Sequence, residues 1–68
     1  MPLTCEVRDG LNRPISEFER DVGEYREGND YAALANYLLK VVRKAGCSSA
    51  CSVHFLADGR DVGSAALG

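Results

Sequence analysis

Residues 29–46, NDYAALANYLLKVVRKAG, are the one long periodic segment of this chain, and the rest is read outward from them. Asn29 or Asp30 can offer a side-chain oxygen to the free N–H groups of a first helical turn, and Gly46 can take the left-handed conformation that closes a helix. At about 100° per residue, Asn36, Lys40, Arg43 and Lys44 fall within an arc of roughly 100°, and nearly every other position is apolar. The apolar arc runs from Tyr37 through Val41, Leu34, Leu38 and Val42 to Leu39. A helix so widely apolar needs cover on more than one side. The remainder of the chain supplies one cover, and a partner meeting the margins at Tyr37 and Leu39 is expected to supply another.

The stretch before this helix, Pro14–Glu27, carries Ile15, Phe18, Val22 and Tyr25 at spacings of three, four and three. That spacing predicts a second, shorter helix. Pro14 suits a first helical position, and Ser16 with Glu19 has the spacing of a capping box. Gly23 would weaken such a helix by about 1 kcal/mol relative to alanine. Gly28-Asn29-Asp30 is then a short break that folds the two helices into a hairpin. In that hairpin Glu17 and Asp21 come near Lys40, Arg43 and Lys44.

The flanks read as strands. Leu3–Arg8 alternates apolar Leu3, Cys5 and Val7 with polar Thr4, Glu6 and Arg8, a period of two, and Asp9-Gly10 ends it. Cys51–Leu56 is a second strand with Val53 and Phe55 on one face and His54 and Leu56 on the other. The echo between Cys5-Glu6-Val7 and Cys51-Ser52-Val53 suits neighbouring strands. Asp58-Gly59 is a further turn signal, after which Arg60–Ala65 can add a third strand. The expected fold is α+β, a helical hairpin packed on a small two- or three-stranded antiparallel sheet in the order β-α-α-β.

At 68 residues the chain makes one small domain, 1–68, near the lower limit of what folds alone. A staple or a second subunit is expected to complete so small a core, and a homodimer is favoured. Charge is uneven along the chain: residues 1–30 hold eight acids and four bases, residues 31–68 two acids and four bases. An overall net charge of −2 argues against a dedicated nucleic-acid binder. A minor alternative leaves Lys40, Arg43 and Lys44 as a basic face for nucleic acid, although cations in a last helical turn also suit the helix macrodipole. No apolar stretch approaches a membrane span, no leader pattern opens the chain, and a cytoplasmic protein is expected.

Three cysteines with no leader fit a reducing compartment, where thiols stay free unless they bind metal. Cys47-x3-Cys51-x2-His54 with the distant Cys5 could build a zinc site of three thiolates and one imidazole. The strand parities oppose it, since Cys5 and Cys51 alternate with core positions and His54 points the other way. The same parity separates Cys51 from His54 as nucleophile and base. No cofactor and no catalytic residue is expected.

The run Val53-His54-Phe55-Leu56-Ala57-Asp58-Gly59-Arg60-Asp61-Val62 resembles a helix-to-strand stretch of the cofactor-independent phosphoglycerate mutases, which carry a similar H-x3-D-G-R-D run at a strand end. That resemblance implies substrate contacts for Arg60 and Asp61. It covers about the last half of the chain, which has no room for the family's metal-binding carboxylates or its serine nucleophile. Read by itself, Asp58–Asp61 is a solvated turn.

The function expected from these residues is non-enzymatic protein binding, as a regulatory or inhibitory module. Its partner-binding positions are Tyr37, Leu39, Lys40, Arg43 and Lys44. Size and plainness of sequence are those of phage and mobile-element accessory proteins.

Overall fold

A computed structural model describes residues 1–46 and 50–66. Four antiparallel strands, β1 (Pro2–Arg8), β2 (Arg20–Glu24), β3 (Ser52–Ala57) and β4 (Arg60–Ala66), form one sheet in the order β2-β1-β3-β4. A single helix, α1 (Tyr31–Lys44), connects β2 to β3 and packs on one face. The expected helical hairpin on a two- or three-stranded sheet is therefore wrong: among the described residues there is one α-helix, and the sheet has four strands.

The error lies in Pro14–Glu27. Ile15 donates its N–H to the Val7 carbonyl at 2.8 Å, Pro14 bridges Arg8, and residues 16–18 make one 3-10 turn before the chain runs back along β1 as β2. A helix here would have left one edge of β1 with its N–H and C=O groups unpaired, and antiparallel pairing satisfies them. Gly23 takes φ 99° where the β1–β2 register slips between Pro2 and Thr4. The glycine that weakens a helix is thus the residue that admits a bulge, a conformation closed to most other side chains. Ile15, Phe18 and Tyr25 still pack on the core, through a loop and a strand end.

The other elements match the expected chemistry. Asp30 caps α1 by accepting the Ala33 N–H at 3.0 Å, and Gly46 follows the last turn at φ 107°. β1 and β3 pair in register, Cys5 opposite Phe55 and Val7 opposite Val53. Asp58 and Gly59, both at positive φ, make the two-residue turn into β4. In the β1–β2 connection, the Asp9 carboxylate accepts the N–H groups of Leu11 at 2.9 Å and Arg13 at 3.0 Å. These donors, Arg13 foremost, hold the Asp9 carboxyl below its ordinary range. The carboxylate's support of this turn is therefore present at neutral pH and fades only as pH falls through that lowered value.

The core lies between α1 and the sheet. β1 contributes Leu3, Cys5 and Val7; β3 contributes Val53, Phe55 and Ala57; α1 contributes Tyr31, Ala35, Leu39 and Val42. The Tyr31 ring sits 5.6 Å from both Tyr25 and Phe55, and its hydroxyl accepts the Arg26 N–H at 2.9 Å. At Gly63 helix and sheet lie so close that a Cβ would sit 2.6 Å from the Tyr31 backbone. Gly63→Ala is expected to force these elements apart and cost about 1–3 kcal/mol. A denaturant midpoint equal to the parent's would show that the contact does not bind helix to sheet.

Candidate functional site

Two surfaces hold side chains that the core does not use. The first is the outer flank of α1. Tyr31, Ala35, Leu39 and Val42 face the sheet, which turns Leu34, Tyr37 and Val41 outward at 44%, 63% and 45% exposure. Spacings of three and four place these on one stripe, with half-buried Leu38 beside them. Leu39, expected at a margin open to a partner, is 3% exposed and belongs to the core. Tyr37 is the most exposed large apolar side chain of α1. Lys40, Arg43 and Lys44 are all exposed along the adjoining side of the helix. Among the described residues none of them forms an ion pair, so the expected pairing with Glu17 and Asp21 does not occur.

The stripe borders a groove. α1 packs against β3 and β4 and leaves the β1–β2 half of the same face without a helix above it. One end of the opening, about 420 Å³, is lined by Val22, Leu34, Leu38 and Tyr31 with Glu24 and Arg26 at its edge, and the next segment, about 260 Å³, by Phe18, Val22, Leu38 and Val42 with Arg20. Its outer wall is β2, every residue of which is exposed.

The second surface is the sheet face away from α1. There the Ser52 hydroxyl lies 2.7 Å from His54 Nε2, and His54 Nδ1 lies 3.0 Å from Asp61 Oδ2. Asp61 Oδ1 accepts the Gly63 N–H at 3.0 Å. With the carboxylate as acceptor, Nδ1 carries the hydrogen, and in the neutral ring Nε2 accepts from the serine. On the neighbouring β1, Arg8 Nη2 lies 3.3 Å from Oε2 of Glu6, the residue opposite His54 in the register. Serine, histidine and aspartate are joined in the atom order of a nucleophilic triad. Acyl transfer would also need oxyanion donors and a pocket, and the described cavities are lined by none of the three residues. The hydrogen bonds tie β4 to β3 beside the register slip between Phe55 and Leu56. A sequence reading missed this chain of contacts, although Ser52-x-His54 shares a strand face and the two-residue turn at Asp58-Gly59 brings Asp61 alongside.

The candidate zinc ligands are divided. Cys5 is buried on the α1 side of the sheet, where desolvation pushes its thiol pKa up, and His54 lies on the opposite face. Cys51 is buried and disulfide-bonded, contrary to the expectation of free thiols, and Cys47 lies outside the described residues. Among the described residues no three His, Cys, Asp or Glu side chains are placed to share a metal ion. Arg60 and Asp61 open β4, with Asp61 held by His54 and Gly63, so the arrangement of Asp58–Asp61 is that of a hairpin turn. No described helix is long and apolar enough to cross a membrane.

Comparison with protein-family models, with curated proteins and with solved structures finds no match for this chain.

Two outcomes follow from this geometry. Asp61→Asn is expected to weaken the β3–β4 tie and lower stability by about 0.5–1.5 kcal/mol, read as a shift in the urea midpoint. An unshifted midpoint would mean that the contact adds nothing. Cys5, buried and with its thiolate disfavoured, is expected to alkylate with iodoacetamide at pH 8 only as the domain opens. Peptide mapping by mass spectrometry should find it labelled far faster in urea than in buffer.

Proposed function

We propose that this protein is a non-enzymatic protein-binding module that docks a partner along the outer flank of α1 and the adjoining groove. The observation that carries the reading is the outward turn of Leu34, Tyr37 and Val41 beside a sheet half that no helix covers. A chain of this size has few large apolar side chains to spend on its own core. Three of them stand on one exposed helical stripe, continuous with Val22 across the groove. Contiguous exposed apolar surface with a polar rim is the usual mark of an interaction site, and Lys40 and Lys44 provide that rim. A regulatory or inhibitory role is consistent with it, since occupancy of such a surface needs no chemistry.

Site-specific photocrosslinking tests the reading. A photoreactive phenylalanine analogue placed at Tyr37 is expected to give a discrete protein adduct in cells expressing the chain. The same analogue at Thr4, on the opposite face of the sheet, should give none. Equal labelling from both positions, or none from either, would remove the α1 flank as the docking surface.

A further inference from the structure

We propose that the partner docked along this flank presents an acidic segment with large apolar side chains interspersed, seated in the shallow recess between α1 and β2. The inference rests on the protein-binding reading above and names the chemistry of the partner. Complementarity of charge carries it.

The apolar side chains beside α1 have cations on both banks. On the sheet side, Arg20 and Arg26 stand with Val22 along the recess that Leu38 lines from the helix. The Arg20 guanidinium donates to the Glu17 and Glu19 carbonyls at 3.0 Å and 2.7 Å, contacts that position it without neutralising it. On the helix side, at about 100° per residue, Lys44 lies within about 20° of Tyr37 around the axis and Lys40 within about 60°. Glu24 is the one acid lining the recess among the described residues, and the N-terminal ammonium holds it at 2.9 Å. Glu19 and Asp21 go to the far face of the sheet with Thr4.

This concentration runs against the rest of the chain, in which ten acids outnumber eight bases. Arg8 and Arg13 are each matched by a carboxylate, from Glu6 and Asp9. Of the six lysines and arginines without an ion pair among the described residues, four border the apolar recess. Carboxylates brought by a partner would meet charges that this chain leaves open. Complementary charge of this kind fixes which segment docks and speeds its approach, while the apolar strip between the banks supplies attraction that salt does not screen. A flat anionic lipid surface would rest on Tyr37, 63% exposed, and miss half-buried Leu38, which the side chain of a peptide can reach.

A random peptide library displayed on phage and panned on the immobilised chain identifies what the recess takes. Enriched peptides are expected to carry a surplus of aspartate and glutamate with leucine, phenylalanine or tryptophan among them. Synthesised with a fluorescent label, they should bind the parent chain in anisotropy titrations, and Arg26→Glu and Lys44→Glu should each weaken that binding at least tenfold. Both side chains are exposed, and Arg26 serves Tyr31 through its backbone N–H, so each variant should keep the far-ultraviolet circular dichroism of the parent. A peptide with lysines in place of its acids should prefer the double variant to the parent, a reversal that loss of structure would not produce. Enriched peptides without an acidic surplus, weakened by Tyr37→Glu but not by the charge reversals, would keep the docking surface and overturn the acidic segment. Peptides that bind all these variants as they bind the parent would overturn the surface as well. Failure to enrich any peptide, with sedimentation on phosphatidylserine vesicles that the reversals abolish, would give the face to lipid. A parent chain that is dimeric in sedimentation equilibrium and made monomeric by Tyr37→Glu would give it to a second copy, and either result rejects the proposal.

Discussion

The fold depends on the contact between the first turn of α1 and the backbone of β4. Gly63 has no side chain where Tyr31 comes down, and Ala35 one turn on is fully buried, so the helix axis can lie close to the sheet. That closeness fixes which side of α1 is inward. Tyr31 then reaches Phe55 on β3 and Tyr25 beyond β2, and its hydroxyl takes the Arg26 N–H. One residue joins the helix, the sheet centre and the incoming connection. Close packing of this kind transmits position, so the outward direction of Leu34, Tyr37 and Val41 follows from the seat of Tyr31 on Gly63.

The sequence states the helix and its ends plainly because caps and periodicity are local. Asp30, Gly46 and the 3.6-residue pattern act within one segment, and so do the alternation in β1 and β3 and the turn at Asp58-Gly59. What it does not state is which neighbour a segment finds. Ile15, Phe18, Val22 and Tyr25 have helical spacing, yet β1 has a free edge that only a strand can satisfy, and the demand of those backbone groups outweighs the pattern. Gly23 was the available warning. Its cost in a helix and its use in a bulge are two consequences of the same missing Cβ.

The orientation of α1 was hidden for a different reason. Leu34, Leu38 and Val41 are as apolar as Tyr31, Leu39 and Val42, so hydrophobicity alone allows the helix to roll by about a quarter of a turn. The observed seat sets Tyr31 over Gly63 and buries Ala35 fully, while Ala32 and Ala33 on other meridians stay exposed. Leu39 therefore moves from margin to core, and Leu34 and Val41 move from core to surface. The Ser52–His54–Asp61 contacts were equally illegible until the β3–β4 register was known, because their third member comes from the next strand.

The division of labour across the sheet follows from its width. A single helix on four strands cannot cover one face, and the chain fills the uncovered half with what lies nearby: Ile15 and Phe18 from the 3-10 turn at one end, Tyr25 at the other. These close the floor over Leu3, Cys5 and Val7 but build no second layer. The consequence is a domain whose interior is sealed while a shallow lane beside its helix stays open, bordered by Arg20, Val22, Glu24 and Arg26 on one side and by a helix that carries only positive charge on the other. Lys40, Arg43 and Lys44 make no ion pair among the described residues, and Arg20 and Arg26 stand across the lane from them, so its apolar side chains have cationic neighbours on both sides.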